Sequence, residues 1–288
     1  MSSLLLHHPG FSFGLTSITT IGEADDTGIH FGILKLRVGE EWTVDDGLES
    51  AILLLQGKVT LCCSGKQYSA ERRSIFDDNP TAIHFDAEGS VMIIAITDCE
   101  LALSQVTNDV HFGLQFFDAE NLLLNEQRGK GLLDNTAYRT VRTLFDKRNR
   151  PDANLVLGEV ITFPGRWSSY PPHHHPQPEI YHYRFTEPQG FGYGETGDLN
   201  NVNKDDSNTM DNKGNQQVVK IHQYDTLKIL YELDHAQVAA PGYGMYYIWV
   251  IRHLENNPYT VPEFTEEHAW TQTEGANARV WRPLKSAE

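Results

Sequence analysis

Apolar and polar residues alternate at every second position over many short stretches of this chain. The three-to-four-residue spacing of an amphipathic helix is almost absent. Stretches 30–38, 49–55, 59–63, 74–76, 82–85, 91–97 and 100–105 read as strands, with turn-forming residues between them at 56–58, 64–66, 77–80 and 87–89. A second strand-rich region opens near Tyr138 and runs through 154–163, 179–185, 191–193, 217–222, 226–231, 237–240 and 245–252. Helix-like spacing is confined to 119–127 and 138–146. Strands recurring every ten residues or so predict an all-β protein of sandwiches or barrels. The expectation is two antiparallel β-barrels, one over residues 1–135 and one over 136–288. Residues 108–135, with Phe112, Leu114, Phe116 and Phe117 ahead of a polar run, form the crossing between them and can lend a strand to either. Residues 196–216 are rich in Asn and Asp and predict a long polar loop within the second barrel, without the ligand spacing of a calcium loop.

Composition narrows the function classes. The chain has 288 residues, with 39 acidic against 23 basic side chains and a net charge of −16. Phosphate backbones and anionic membrane surfaces need a basic field, so nucleic acid and membrane are excluded as expected partners. An anionic substrate would be repelled by the general field, so specific Arg or Lys side chains must line its site. Cys62, Cys63 and Cys99 make no even disulfide framework and read as small buried residues in a reducing compartment. The first residues lack the basic region and apolar length of a signal peptide, and no apolar run reaches a membrane span. The expectation is a soluble, cytoplasmic protein.

The chemistry concentrates in Trp167-Ser-Ser-Tyr-Pro-Pro-His-His-His-Pro-Gln-Pro-Glu-Ile-Tyr-His-Tyr-Arg184. His173 and His175 lie two apart, so on an extended strand they point to one side and converge. Glu179 returns to the same point after a short turn. Pro171, Pro172, Pro176 and Pro178 rule out a helix here. Two imidazoles and a carboxylate are a usual first shell for a divalent transition metal, and His235 is the best-placed fourth ligand. Zinc, manganese, iron and nickel all suit this set. His174 should point to the opposite face. The first half contains His84 as a lone strand histidine without that constellation, and a structural role is expected for it.

Longer pieces around these residues resemble a known family. His173-x-His175-x3-Glu179 with a distant His235 is similar to the metal motif of cupins, which are small β-barrels. Pro164-Gly-Arg-Trp-Ser-Ser-Tyr-Pro-Pro-His-His-His175, Glu179-Ile-Tyr-His-Tyr-Arg-Phe185, Pro188-Gln-Gly-Phe191 and Ala239-Ala-Pro-Gly-Tyr243 resemble the bicupin 5-deoxy-glucuronate isomerases of myo-inositol breakdown. Stretch 53–64 with Gly57, Arg73-Ser-Ile-Phe76 and Glu100-Leu-Ala-Leu103 resemble that family's first barrel. The resemblance implies a bicupin with metal in the second barrel only. It also implies an aldose–ketose isomerase that turns 5-deoxy-D-glucuronate into 5-dehydro-2-deoxy-D-gluconate.

That chemistry assigns expectations to further residues. Glu195 and Tyr243 are candidates for the general base. Arg184, with Arg166 as its alternative, is the expected clamp for a substrate carboxylate. Trp167 and Trp270 would wall the pocket. Tyr246 and Tyr247 alternate on a strand, so only one can face inward, and Tyr247 is taken as substrate-binding. The rival readings are a 5-dehydro-4-deoxy-D-glucuronate isomerase of pectin breakdown, a cupin dioxygenase using iron, and a non-catalytic sugar-binding bicupin. The partner is in each isomerase reading a small sugar acid, and exposed barrel edges allow a homodimer.

Overall fold

The structure is a computed structural model that describes residues 4–197, 217–231 and 233–283. Its strands, in chain order, are β1 (Leu5–Leu6), β2 (Gly14–Thr19), β3 (His30–Leu36), β4 (Glu41–Val44), β5 (Glu49–Cys63), β6 (Lys66–Arg72), β7 (Ala82–Phe85), β8 (Val91–Ala95), β9 (Cys99–Val106), β10 (Gln115–Phe117) and β11 (Glu126–Arg128). The second half contributes β12 (Arg139–Phe145), β13 (Leu155–Thr162), β14 (Trp167–His174), β15 (Glu179–Phe185), β16 (Phe191–Gly197), β17 (Gln217–His222), β18 (Thr226–Ile229), β19 (Asp234–Ala239), β20 (Met245–Arg252) and β21 (Glu263–Phe264). Among the described residues the only α-helix is α1 (Ala276–Arg279), and no helix is long and apolar enough to cross a membrane.

All strand pairs are antiparallel. One sheet runs β1-β18-β15-β20-β13-β12-β11, a second is built on β10-β7-β5-β9-β3-β2, and a third runs β17-β16-β19-β14-β21. The expected closed barrels are not formed: each of these sheets has free ends, and facing sheets enclose the cores instead. In the first half, β5 leaves the large sheet at a register shift between Leu54 and Gln56 and continues to pair with β6 and β8. The apparent turn at 56–58 is therefore a bend inside one long strand. Gly57 makes the bend possible, with φ +99 and a backbone so close that a Cβ would meet Asp98 O at 2.5 Å.

The two large sheets stack back to back. Ala51, Leu53 and Leu55 of β5 pack with Leu155, Leu157, Ile248 and Val250 in a central core. Ile52 and Leu54, on the other face of β5, belong to the first half's own core. On β20, Tyr246 and Ile248 face the centre while Met245 and Tyr247 face the second half's core. Burial on both faces explains why these strands read as unbroken apolar runs. The same burial explains why 138–146, despite its helix-like spacing, is β12 and not a helix. Stretch 119–127 is likewise not helical and ends in β11. Residues 74–76 form a turn, and β6 lies just before them.

The crossing segment gives a strand to each side, since β10 pairs with β7 and β11 with β12. β1 pairs with β18, so the sheets cut across a division at 135/136. Thr196 and Gly197 of the expected polar loop end β16, and the rest of that stretch lies outside the described residues.

Polar groups bolt the halves together inside the apolar centre. Arg72, fully buried at the end of β6, donates to both carboxylate oxygens of Glu159 on β13, at 2.6 and 2.9 Å. Tyr246 donates to the same carboxylate at 2.6 Å. Glu49 of β5 accepts the backbone N–H of Asn154 at 2.7 Å and of Leu155 at 2.9 Å, and pairs with His84 at 2.9 Å. His84 is thus structural, stacked 4.0 Å from Phe145. Burial opposes ionisation of Glu49, but His84, Asn108 and the backbone of Asn154 outweigh it and hold the carboxyl below its usual value.

Removing one partner of such a pair strands a buried charge. Arg72→Met is expected to destabilise the fold by roughly 3–5 kcal/mol, read as a loss of urea resistance. Buried histidines set the pH response. Burial lowers the pKa of His84 and His182, and pushes His253 down to about 4. A folded pKa below the unfolded value of about 6.5 means stability is complete above that pH and drains away as pH falls. The urea midpoint should therefore drop between pH 7.5 and 5.5, and an unchanged midpoint would contradict this account.

Candidate functional site

The histidine-bearing strand β14 pairs with β19 at Trp167 and Ser168, then breaks register and resumes at His173, opposite His235. The interruption has its cause in the sequence. Pro171 and Pro172 have no N–H to give a ladder, so the strand bulges there and the next residues are re-aimed. Directly opposed residues share a face, and the rings of His173 and His235 lie 4.3 Å apart. Alternation sends His174 the other way, to Asp234 at 3.0 Å.

A short turn carries the chain from His175 to Glu179, the first residue of β15. Glu179 Oε2 lies 3.2 Å from His175 Nε2 and 3.5 Å from His235 Nε2. Ligand atoms of His175, Glu179 and His235 all fall within 4.8 Å of one another, and all three residues are buried. His173 stands beside this trio and outside the grouping.

The histidines share a second feature. Nδ1 faces a backbone carbonyl in each: Pro171 O at 3.3 Å for His173, Gln177 O at 2.8 Å for His175, and Leu233 O at 3.0 Å for His235. A donated Nδ1–H leaves the Nε2 lone pair for a ligand. Burial, reinforced by neighbouring imidazoles, holds His173 well below its usual pKa and pushes His235 down to about 3. Neutral imidazole is the metal-binding form. Ligand distances of about 2.1 Å put adjacent ligand atoms roughly 3.0–3.4 Å apart, close to the separations found here. The donor set and its spacing fit a divalent cation. Burial also raises the Glu179 carboxyl.

His173, His175 and Glu179 line a cavity of ≈ 650 Å³, and His235 sits behind Tyr181 outside its lining. The cavity walls carry hydroxyls in mutual contact. Tyr181 Oη lies 3.1 Å from His235 Nε2 and 3.2 Å from Ser169 Oγ, while Tyr247 Oη meets Ser168 Oγ at 2.6 Å. Burial raises both phenol pKa values, with Glu179 adding to the effect at Tyr181, so these groups keep their protons at neutral pH. Arg128, Arg139, Lys147 and Arg148 also line the cavity, where Arg128 is paired with Glu126 and Arg148 with Asp146.

Several expected residues are elsewhere. Arg184 follows Ile180 and His182 on the face of β15 opposite Glu179 and Tyr181. It reaches Glu100 in the first half and does not border the cavity. Arg166 donates to Asp134 O at 3.4 Å, also outside it. Trp167 is 37% exposed and packs on Tyr170, and Trp270 lies under the Arg279 guanidinium. Glu195 pairs with Ala236, the neighbour of His235, and so occupies the other face of that sheet. Tyr243 packs against Phe191. Of the expected substrate-binding residues, Tyr247 is at the cavity.

Arg139, Tyr181 and Tyr259 line the cavity and are not among the residues expected from sequence. The Tyr259 ring lies 4.9 Å from that of His175. Tyr181 is legible in the chain: it is two residues past Glu179 on a strand and must share its face. Arg139 is hidden there because 138–146 has helix-like spacing. As a strand, that stretch puts Arg139, Val141 and Thr143 on the cavity side.

Similar proteins extend these observations. The family model described as KduI/IolB family matches residues 7–271. The 5-deoxy-glucuronate isomerase of Bacillus subtilis (strain 168) is 27% identical over 185 residues, which are 60% of this chain and 66% of that protein, just short of two thirds of its length. The Lacticaseibacillus casei protein of the same name is 28% identical over 295 residues, covering 93% of this chain and 98% of its own. Among solved structures, an IolB-like protein from Salmonella typhimurium LT2 superposes with a TM-score of 0.80 at 22% identity, over 94% of this chain and all of that one. Lactobacillus farciminis oxalate decarboxylase gives 0.63 at 12% identity, over 93% of this chain and 90% of that one. At these identities the structural likeness speaks for the fold.

The geometry separates ligands from bystanders. His175→Ala should weaken uptake of a divalent ion by at least 10–100-fold in a chelator competition, whereas His174→Ala, which removes a partner of Asp234, should leave it nearly unchanged. Equal losses in both variants would refute the assignment.

Proposed function

This chain belongs to the KduI/IolB family, and we propose on that premise that it is a metal-dependent sugar-acid isomerase converting 5-deoxy-D-glucuronate into 5-dehydro-2-deoxy-D-gluconate. The observation that carries the reading is the buried His175–Glu179–His235 trio, two of whose members, His175 and Glu179, line a cavity that also carries hydroxyls and the buried Arg139. The names borne by the Bacillus subtilis and Lacticaseibacillus casei relatives support the substrate.

The reaction moves hydrogen between the aldehyde carbon and its hydroxyl-bearing neighbour, with no net change in atoms. Negative charge develops on the two sugar oxygens. His175, Glu179 and His235, with His173 beside them, would hold a divalent ion, which supplies Lewis acidity toward those oxygens. Zinc, manganese, iron and nickel all suit the ligands. The carbonyl bonds to Nδ1 fix the ring orientations before substrate arrives. Tyr181 and Tyr247 keep their protons and donate hydrogen bonds where charge accumulates. Glu195 and Tyr243, which do not border the cavity, have no place in this scheme.

The test is an isomerisation assay with 5-deoxy-D-glucuronate on protein of measured metal content, with 5-dehydro-4-deoxy-D-glucuronate as the competing substrate. Turnover of the first is expected. It should be lost on chelation and in the His175→Ala/His235→Ala variant, and Tyr181→Phe should lower kcat on the order of 10²–10³-fold. Metal-loaded protein that turns over neither sugar would overturn the reading in favour of a binding protein.

A further inference from the structure

The cavity contains a buried cation that forms no ion pair with any described carboxylate. Arg139 is only 7% exposed. Its hydrogen bonds go to two backbone carbonyls, Ala137 O at 2.9 Å and Tyr170 O at 3.4 Å. A guanidinium has five N–H groups, so donors remain. Among the described residues no carboxylate pairs with it, although the other buried arginines of the two large sheets are matched: Arg72 and Arg142 with Glu159, and Arg184 with Glu100.

Its cross-strand partner sharpens the point. Arg139 stands directly opposite Arg128 of β11, and both line the cavity. Like charges directly opposed on a sheet repel, and a buried unpaired ion is costly. Arg128 Nε is held by Glu126 at 2.8 Å, which steadies that side chain and leaves Arg139 alone. Burial lowers the Arg139 pKa, yet a guanidinium stays charged at neutral pH. The Tyr170 carbonyl that it meets belongs to the bulge leading into His173, so the cation and the histidines share one segment as well as one cavity.

We infer that Arg139, seconded by Arg128, is the carboxylate subsite of this cavity and selects an anionic sugar over a neutral one. This rests on the sugar-acid reading above and gives it the residue that Arg184 and Arg166 do not supply. A uronic acid carries its carbonyl and its carboxylate at opposite ends of the carbon chain. His175 and Glu179 of the trio, and Arg139, give each end its own place on the cavity wall. A neutral aldose leaves the guanidinium unpaired, which is a stronger basis for rejection than shape alone.

The test is calorimetric binding of D-glucuronate and of D-glucuronamide, its uncharged counterpart, to the protein as purified and to Arg139→Gln, Arg139→Lys and Arg128→Gln. Wild type should prefer glucuronate by about tenfold or more. Arg139→Gln should weaken glucuronate on the order of 10–100-fold while glucuronamide stays within about threefold, and Arg139→Lys should restore part of the loss. Arg128→Gln should give a smaller loss of the same kind. A wild type that does not prefer the charged sugar overturns the inference whether or not the variants fold. So does an Arg139→Gln protein that loses both sugars alike. Binding is read without turnover. Preference for the carboxylate without isomerisation would refute the proposed reaction and leave this subsite standing, whereas isomerisation indifferent to Arg139 would do the reverse.

Discussion

The back-to-back stacking of the two large sheets is the interaction on which the rest of the molecule depends. It buries both faces of β5, β13, β15 and β20, so each of these strands serves two cores at once. On β15 the even positions Ile180, His182 and Arg184 face the first half, and the odd positions Glu179 and Tyr181 are left for the site. On β20 the split falls between Tyr246, bonded to Glu159, and Tyr247, bonded to Ser168. The first half is thus a foundation: it fixes the rear of the strands whose front carries the chemistry.

Polar groups at this depth survive because they are matched. Arg72 with Glu159, and Glu49 with His84 and two backbone N–H groups, offset the desolvation that would otherwise expel them. The trio obeys the same rule in another form. Burial keeps His235 neutral, and the Nδ1 atoms of both His175 and His235 face backbone carbonyls. What converges is a set of Nε2 atoms and one carboxylate, with Tyr181 Oη against His235 Nε2. Arg139 has no carboxylate partner among the described residues, and such a charge bordering a cavity is a feature that binding can resolve.

Much of the local structure is legible in the chain. The stretches that form β7, β15, β17 and β20 show their observed ends in the sequence, because turn residues bound them and their length excludes a buried helix. The approach of His175 to Glu179 can be read from the run 173–179, because period-two geometry and four prolines leave few arrangements open. Three kinds of feature escape. The bend at Gly57 looks like the end of a strand, since a glycine at positive φ marks either. β12 looks helical, since a strand buried on both faces loses its alternation. Arg184 looks like a clamp because it lies close to Glu179 in sequence, although a separation of five residues puts it on the opposite face.

The all-β character, the extended run that carries His173 and His175, and the return of Glu179 to His175 were set by the residues themselves, because each depends on backbone geometry over a few positions. That His235 faces His173 across a bulged pair of strands is settled by the packing of the sheets. The same packing turns Glu195 and Arg184 away from the cavity and brings Arg139 to line it. These placements depend on which face of a doubly buried sheet meets which neighbour, and apolar residues on both faces leave no mark in the chain to tell one from the other.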